Sequence, residues 1–223
     1  MSTLNLGKGL EVLYTFDDAD TDSQRNILRD RSGKYNHAQL NGGIGTGNAS
    51  PVGQAYNADG TDDYLETKNN IDLPDGFTLF LIVKPNLSGD FGGILNYSGY
   101  SAILIRKENN NNAMFRLYFA DGTETGEMEP FSYTGQWERI GVVYDPENTE
   151  TPVKVYRGEE IVRTDTSGAN TTLETTSSVA QFMRLNNNYM SGLMSMAALY
   201  NRPLSHEEYL SLARTTSRKV SKL

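Results

Sequence analysis

The sequence contains no cysteine, only two histidines and no long apolar run. The absence of cysteine excludes thiol catalysis, cysteine-ligated zinc, iron–sulfur clusters and a disulfide framework. His37 and His206 are far apart in the chain, so a histidine-rich zinc site or a Ser-His-Asp triad is not expected. No stretch approaches the length of about 18 apolar residues that a membrane-spanning helix needs, and Met1–Gly7 lacks the positive start and apolar run of a signal peptide. The sequence therefore predicts neither membrane insertion nor a signal peptide.

Basic side chains are also in the minority. The 223 residues carry 20 lysines and arginines against 28 acidic side chains, which gives a net charge of −8. A nucleic-acid-binding protein needs a concentrated basic face, and the only basic cluster lies at the C-terminus, in Arg214–Lys222. We therefore expect no nucleic-acid partner. The length suits one domain that buries enough surface to fold without a disulfide or a metal.

Hydrophobic periodicity indicates many short strands. Apolar and polar residues alternate over Leu10–Phe16, which is typical of a strand with one buried face. Residues 77–84 are apolar on both faces and end at Pro85, which favours a central strand covered on both sides. Further strands are predicted at 64–67, 93–97, 102–106, 114–119, 137–144, 153–156, 181–185 and 192–200. Turn-forming residues separate them, among them two asparagine tracts at 109–112 and 186–188 that suit hairpin tips. This pattern predicts an all-β fold, a two-sheet antiparallel β-sandwich or jelly roll.

One short helix is predicted near the C-terminus. Ser205 and Glu208 form a capping box, in which each side chain bonds the backbone amide of the other residue, and Leu204 and Tyr209 occupy the flanking apolar positions. The helix is expected to run from His206 to about Arg214 and to pack on the sandwich. The chain thus divides into an N-terminal arm (1–9), a single sandwich domain (10–214) and a polar C-terminal tail (215–223).

Seven segments, in order, resemble the laminin-G-like, or concanavalin A-like lectin/glucanase, jelly-roll family. They span most of the chain, and the strand that often carries tryptophan in relatives has Ile82. The segments lie at residues 12–17, 30–38, 53–64, 77–85, 136–145, 153–158 and 192–208. The resemblance implies a two-sheet antiparallel sandwich. It implies no single function, because the fold carries lectins, adhesion modules and glycanases alike.

Acidic residues allow a test for glycan hydrolysis. A retaining glycosidase needs two carboxylates about 5–5.5 Å apart, and the strand pattern Glu-x-Asp-x-x-Glu of the related glucanases is absent. The nearest cluster, Glu124, Glu127 and Glu129, lies between Gly122 and Pro130 in a predicted loop without an apolar pocket. A solvated loop is the favoured interpretation, and the sequence predicts a protein without catalytic activity.

Calcium is the ion that the sequence favours. Asp18, Asp20 and Asp22 alternate along a short segment, as in loops that bind hard cations, and Asp30 lies on the next turn. Relatives often hold calcium at a sandwich edge, which carries the prediction to Asp18, Asp20 and Asp30. The alternative is that these loops are acidic and face water. A second candidate is 59–63, where Asp59 is instead expected to cap the turn at Gly60.

Glycan recognition requires aromatic faces beside polar groups, because a pyranose has one apolar face and a ring of hydroxyls. Tyr100 and Tyr189 lie in predicted loops near side-chain amides such as Asn187, and these three residues are the predicted ligand-binding set. The alternative is that these tyrosines pack in the core or at a sheet edge, as most of the 13 tyrosines are expected to do.

Together these features predict a non-catalytic laminin-G-like surface module. The fold, combined with the lack of cysteine and of an export signal, favours an exterior virion protein of a bacterial virus that is made in the host cytoplasm. We expect it to be a capsid decoration or a tail component with a stabilising or adhesive role. Its partners would be capsid or tail proteins or surface glycans, and it is a candidate homo-oligomer. The alternative is a glycan-binding module of a secreted bacterial protein, extracellular or at the cell surface; a glycoside hydrolase is less favoured.

Overall fold

The structure is a computed structural model that describes residues 6–88, 91–98 and 102–218. For Ser217 and Arg218 it describes the backbone alone. Within these residues the chain forms short strands, one 3-10 turn at Asp18–Asp20 and one helix, α1 (His206–Arg218). In chain order the strands are β1 (Leu10–Tyr14), β2 (Thr21–Asp22), β3 (Ile27–Leu28), β4 (Ala38–Asn41), β5 (Gly45–Ser50), β6 (Gly53–Asp59), β7 (Tyr64–Thr67), β8 (Ile71–Asp72), β9 (Phe77–Pro85), β10 (Gly92–Tyr97), β11 (Ile103–Lys107), β12 (Asn112–Leu117), β13 (Met128–Ser132), β14 (Glu138–Tyr144), β15 (Val153–Arg157), β16 (Glu160–Asp165), β17 (Ser177–Ser178), β18 (Ala180–Phe182), β19 (Arg184–Leu185), β20 (Asn188–Tyr189) and β21 (Ser191–Tyr200).

Two large sheets make the predicted sandwich. Among the described residues one sheet has eight strands, in the order β16-β15-β14-β9-β21-β6-β5 with β1 also paired to β21. The other has eleven, in the order β13-β12-β11-β10-β18-β7-β4-β3-β2, with β19 and β20 attached at β10. Their pairing is antiparallel apart from a single parallel pair between Gly93 and Tyr189. The all-β, antiparallel expectation is confirmed.

The central position of β9 follows from its two apolar faces. Alternate residues of a strand point to opposite sides, and Leu79 and Leu81 lie in the core between the sheets while Phe80 and Ile82 lie in a second cluster on the outer face. β14 and β21 flank β9 on either side. The second cluster also contains Tyr209 from α1. The helix therefore covers the outer face of the eight-stranded sheet.

The predicted cap of α1 is present. The Ser205 amide donates to the Glu208 carboxylate at 3.0 Å, and the Glu208 amide donates to Ser205 Oγ at 3.3 Å. The predicted end at Arg214 is wrong, because the helix continues to Arg218. The polar residues after 214 predicted a tail, but the Thr215 and Thr216 hydroxyls donate to the Ser211 and Ala213 carbonyls of the preceding turn. These hydrogen bonds let polar side chains belong to the last turns of the helix. The described part of the chain contains no helix with the length and apolar character that a membrane crossing requires.

Candidate functional site: a polar cleft beside a tyrosine–arginine cluster

A short hairpin lies flat on the outer face of the eleven-stranded sheet. β19 and β20 are joined by the turn Asn186–Asn187, and Asn186 has a left-handed φ of 53°. The predicted strand 181–185 is thus split, because Met183 also has a positive φ, 66°, an outlier for a residue of this kind. Leu185 is buried with Leu104 and Met114 of the sheet beneath it. We call residues 184–189 the hairpin.

Gly93 allows the hairpin to approach the sheet. A methyl group at this position would lie 2.5 Å from Leu185 Cβ and closer still to the backbone of Arg184 and Leu185. Only a residue without a side chain fits there, and the parallel pairing of Gly93 with Tyr189 holds the hairpin at that point. The hairpin therefore brings Arg184, Asn186 and Tyr189 over a defined part of the sheet.

Three polar side chains form a row across the sheet next to the hairpin. Glu66 of β7, Gln181 of β18 and Asn96 of β10 are in register. Gln181 Nε2 donates to Glu66 Oε2 at 2.5 Å, and Asn96 Nδ2 donates to Gln181 Oε1 at 3.0 Å.

The carboxylate of Glu66 sets the direction of this row. An ionised carboxylate only accepts hydrogen bonds, so Gln181 presents its NH₂ to Glu66 and its oxygen to Asn96. Asn96 must then use its NH₂ toward Gln181, which leaves Asn96 Oδ1 as the last acceptor. Asn96 is 3% exposed, and its Oδ1 has no hydrogen-bond partner in the described residues. A buried acceptor of this kind favours a molecule that brings a hydroxyl or amide donor.

A cleft of about 270 Å³ opens at this end of the row. Its described lining is polar apart from one valine, and consists of Asn96, Ser98, Ser178, Val179, Gln181, Arg184 and Asn186. Arg184 is the only charged side chain in that lining. We call this space the hairpin cleft.

The wall of the cleft at 178–180 is held from the core. Ser178 donates its amide to Tyr97 Oη at 3.0 Å, and the Tyr97 hydroxyl donates to the Ile71 carbonyl at 2.6 Å. The Ala180 amide donates to Thr67 Oγ1 at 2.9 Å. Burial raises the pKa of Tyr97 above its ordinary value, so this phenol stays protonated and structural.

Two tyrosines and an arginine form a cluster beside the cleft. The rings of Tyr64 and Tyr189 have centroids 6.1 Å apart, and the Arg184 guanidinium carbon lies 4.3 Å from the Tyr64 centroid and 5.6 Å from that of Tyr189. Arg184 Nε donates to the Asn186 carbonyl at 2.6 Å. All three side chains are half-buried, so they keep a solvent-facing part. We call them the tyrosine–arginine cluster.

The predicted ligand-binding residues fall differently around this site. Tyr189 lies in the tyrosine–arginine cluster beside the cleft, and its role in binding stays a prediction. Asn187 is exposed at the tip of the hairpin, and its neighbour Asn186 lines the cleft instead. Tyr100 lies outside the described residues. Sequence reasoning missed Tyr64, although the alternation over 64–67 places Tyr64 and Glu66 together on the face opposite the core residue Leu65.

The predicted calcium residues are engaged with protein groups. Asp30 accepts four hydrogen bonds, from the amides of Leu13, Ser32 and Asn36 and from the Ser32 hydroxyl. Asp20 is 1% exposed and ion-paired with Arg31. Asp18 is exposed and pairs with Gln54. These contacts tie the first loop of the sandwich to neighbouring protein groups, and calcium binding by Asp18, Asp20 and Asp30 stays a prediction.

Among the described residues, the carboxylates of Asp59, Asp62 and Asp63 do lie close enough together to share a metal ion, with oxygen atoms within 4.8 Å of one another. Asp63 accepts the amides of Gly43 and Asp59 at 2.6 and 3.0 Å. Asp59 accepts the Thr61 amide at 2.7 Å, so it caps the turn at Gly60 as predicted. Their hydrogen bonds account for the cluster as turn chemistry.

Two of the three glutamates of the predicted acidic loop, Glu124 and Glu127, contact arginines. Arg116 forms an ion pair with Glu124 and lies 3.6 Å from Glu127, and Arg106 lies 3.4 Å from Glu127. Glu129 is exposed and accepts from Asn112. Each of these glutamates is therefore engaged with a polar protein partner, which differs from the apolar pocket that surrounds a general acid.

A second cavity, of about 470 Å³, lies beside β2 and β3, at one edge of the eleven-stranded sheet. Asp20, Asp30, Arg29, Arg31 and Tyr35 contribute to its lining. Tyr35 is 75% exposed. Asp30 accepts four hydrogen bonds from protein groups here, and the buried Asp20 Oδ1, which has no hydrogen-bond donor in the described residues, is ion-paired with Arg31. Asn96 Oδ1 of the hairpin cleft has neither a hydrogen bond nor an ion pair in the described residues. The hairpin cleft is therefore the better candidate site.

Comparisons with known proteins give the family and the fold. A laminin-G-type family model described as "Concanavalin A-like lectin/glucanases superfamily" matches residues 59–208. No curated protein is significantly similar in sequence. Among solved structures, the receptor-binding domain of botulinum neurotoxin C/D mosaic serotype superposes with a TM-score of 0.69 at 13% identity, covering 94% of this chain and 52% of that one. The botulinum neurotoxin serotype D ligand-binding domain in complex with N-acetylneuraminic acid gives 0.71 at 11% identity, covering 94% and 51%. The chain thus spans about half the length of these structures, and at such identity the likeness shows the fold.

Proposed function

Since the chain belongs to the concanavalin A-like lectin/glucanase superfamily, we propose that it is a non-catalytic module that binds surface glycans at the hairpin cleft. Two half-buried tyrosine rings next to a cleft of amides and hydroxyls carry this function. Tyr189, and the part of Tyr64 that the Arg184 guanidinium leaves uncovered, offer apolar surface against which a sugar ring can pack. Asn96, Gln181 and Ser98 offer acceptors and donors for its hydroxyls, with Asn96 Oδ1 still requiring a donor.

Two observations support binding rather than hydrolysis. Of the glutamates nearest to a catalytic pattern, Glu124 and Glu127 contact arginines, and Glu66, whose carboxylate belongs to the polar row, is hydrogen-bonded to Gln181. Glycan ligands also occur among proteins of similar fold, including the serotype D domain in complex with N-acetylneuraminic acid.

A glycan array and titration of the full chain test the proposal. We expect saturable binding of at least one glycan, weakened about tenfold by Tyr189→Ala and by Tyr64→Ala, since an aromatic contact contributes up to about 1.5 kcal/mol beyond its buried area. Tyr35→Ala is the matched control, because Tyr35 is an exposed tyrosine at the second cavity, and it should bind normally. An array without a saturable ligand, or binding lost only in Tyr35→Ala, would overturn the assignment to the hairpin cleft.

We place this module on the exterior of a virion of a bacterial virus, bound to capsid or tail proteins, with an extracellular or cell-surface lectin as the alternative. The net charge of −8 suits an exposed protein that keeps particles soluble. Purified particles should contain the chain, and light scattering should find a trimer or larger ring that matches a symmetric particle. Particles that lack the chain would exclude this location.

A further inference from the structure

Arg184 is the one charged group that lines the described part of the hairpin cleft, and it has no acidic partner there. No carboxylate of the described residues lies within 4.0 Å of its guanidinium nitrogens. Arg116, Arg157 and Arg202 are each paired with a glutamate. Arg139 is another half-buried arginine that has no ion pair among the described residues, but it does not line the hairpin cleft. The chain has 28 acidic side chains, yet this half-buried Arg184 has no carboxylate partner among the described residues. Its positive charge is therefore available to an anionic ligand in the cleft.

The guanidinium is also held in place before any ligand arrives. Its Nε donates to the Asn186 carbonyl at 2.6 Å, and its central carbon lies 4.3 Å from the Tyr64 ring centroid in a cation–π contact. The terminal Nη1 and Nη2 have no protein acceptor in the described residues. These two nitrogens form the fork that binds a carboxylate through two parallel hydrogen bonds. Because the side chain is already ordered, binding costs little rotamer entropy.

Glu66 forms no ion pair with Arg184, since its carboxylate does not lie within 4.0 Å of the guanidinium nitrogens. Its carboxylate stands at the far end of the polar row, where it accepts from Gln181 Nε2 at 2.5 Å, and it is not part of the cleft lining. Because Glu66 fixes the orientation of the Gln181 amide, and Gln181 in turn accepts from the Asn96 NH₂, Asn96 Oδ1 is left as the acceptor without a partner in the described residues. The cleft therefore combines a cationic fork with a buried acceptor. A ligand that satisfies both carries an anionic carboxylate and a hydroxyl or amide N–H.

We propose that the hairpin cleft selects acidic, carboxylate-bearing sugars over neutral ones, and that Arg184 reads the carboxylate. This specificity rests on the proposed glycan-binding function and adds the class of sugar to it. Asn96 is the partner residue that accepts a hydrogen bond from the same sugar.

The test compares one acidic oligosaccharide, chosen as the tightest sialic- or uronic-acid glycan on the array, with its methyl ester. The ester removes the charge and changes the shape little. We expect the free acid to bind the native chain at least tenfold more tightly than the ester. Arg184→Gln should lower the affinity for the free acid and so bring the ratio of acid to ester affinity close to one. Arg184→Lys, which keeps the charge but not the planar fork, should give an intermediate ratio. Arg29→Gln, at the second cavity, should leave the ratio unchanged.

Thermal melts of each variant establish that it is folded, since Arg184 also contacts two tyrosines. If neutral glycans bind as tightly as acidic ones and Tyr189→Ala abolishes both, the acid specificity is wrong while the glycan-binding function stands. If the acid preference survives in Arg184→Gln, or is lost in Arg29→Gln, Arg184 is not the residue that reads the carboxylate. If no glycan binds, both the function and the specificity fail.

Discussion

Substitution of Gly93 by alanine tests whether close contact between the hairpin and the sheet creates the site. The new methyl group would lie 2.5 Å from Leu185 Cβ and nearer still to the hairpin backbone. Ordinary carbon contacts are about 3.5 Å, so the hairpin has to move by roughly 1 Å or more. Gly93 has no left-handed φ, and strand geometry itself accepts alanine. The expected effect therefore comes from the clash alone.

The magnitude follows from the two ways of relieving this clash. Detaching the hairpin would expose Leu185 and the faces of Leu104 and Met114, at about 1.5–3 kcal/mol for each side chain fully exposed. Shifting it as an overpacked layer costs about 1–3 kcal/mol in total. The second is cheaper, so we expect the free energy of unfolding to fall by about 2 kcal/mol. Glycan affinity should fall at least tenfold, because Arg184 and Tyr189 move with the hairpin.

Urea unfolding followed by circular dichroism, together with titration of the glycan found on the array, measures both effects. Hydrogen exchange should become faster at Met190, whose amide donates to the Met183 carbonyl at 2.8 Å. Gly43→Ala is the matched control, because no atom lies within 4 Å of a methyl group there and Gly43 has no left-handed φ. That variant should be neutral or stabilised by up to about 1 kcal/mol. Equal stability and equal affinity of the two variants would refute the reasoning.

Three further predictions concern the rest of the fold. Arg202 is the main cause of the low pKa of Glu208, which falls from 4.5 to about 2. Glu208→Gln should cost about 1–2 kcal/mol at pH 7, because solvent screening reduces the free energy that this shift alone would give. This deficit should shrink as the pH falls from about 4.5 to about 2, because the unfolded chain takes up a proton at Glu208 in that range while the native ion pair keeps the carboxylate ionised, and it should nearly vanish once the native side chain is protonated as well. A deficit that urea unfolding finds constant from pH 7 to pH 2 would contradict the ion pair. Asp30→Asn should lower the free energy of unfolding by about 2 kcal/mol or more, since an NH₂ would face backbone donors that the carboxylate now satisfies; an unchanged urea midpoint would exclude this role. If Asp18, Asp20 and Asp30 bind calcium, calcium should raise the melting temperature by several degrees over chelator and Asp18→Asn should remove the rise; equal melting would exclude a calcium site there.

Local patterns predict the elements that local chemistry determines. The two apolar faces of 77–85 identify a strand that is buried from both sides, and the capping box at Ser205 and Glu208 identifies the start of α1 to the residue. The end of α1 could not be predicted in the same way. Thr215 and Thr216 are weak helix formers, and only the tertiary contacts of the last turn, where Thr216 is buried, keep them helical.

The hairpin cleft could not be found from the sequence because each of its parts depends on pairing between distant strands. Asn96 and Gln181 are 85 residues apart, and Gln181 and Glu66 are 115 apart. A shift of one residue in either register would turn one of these side chains into the core. The positive φ at Met183 that separates β18 from the hairpin has no sequence signal, since methionine rarely adopts it. Tyr189 could be singled out because it neighbours an asparagine turn, but its partners Tyr64 and Arg184 read as ordinary strand residues. These residues form a candidate site because Gly93 allows the hairpin to pack closely on the sheet, next to the end of the polar row where Asn96 Oδ1 has no partner in the described residues. The sequence does not show this arrangement, because it exists only once the distant strands have paired.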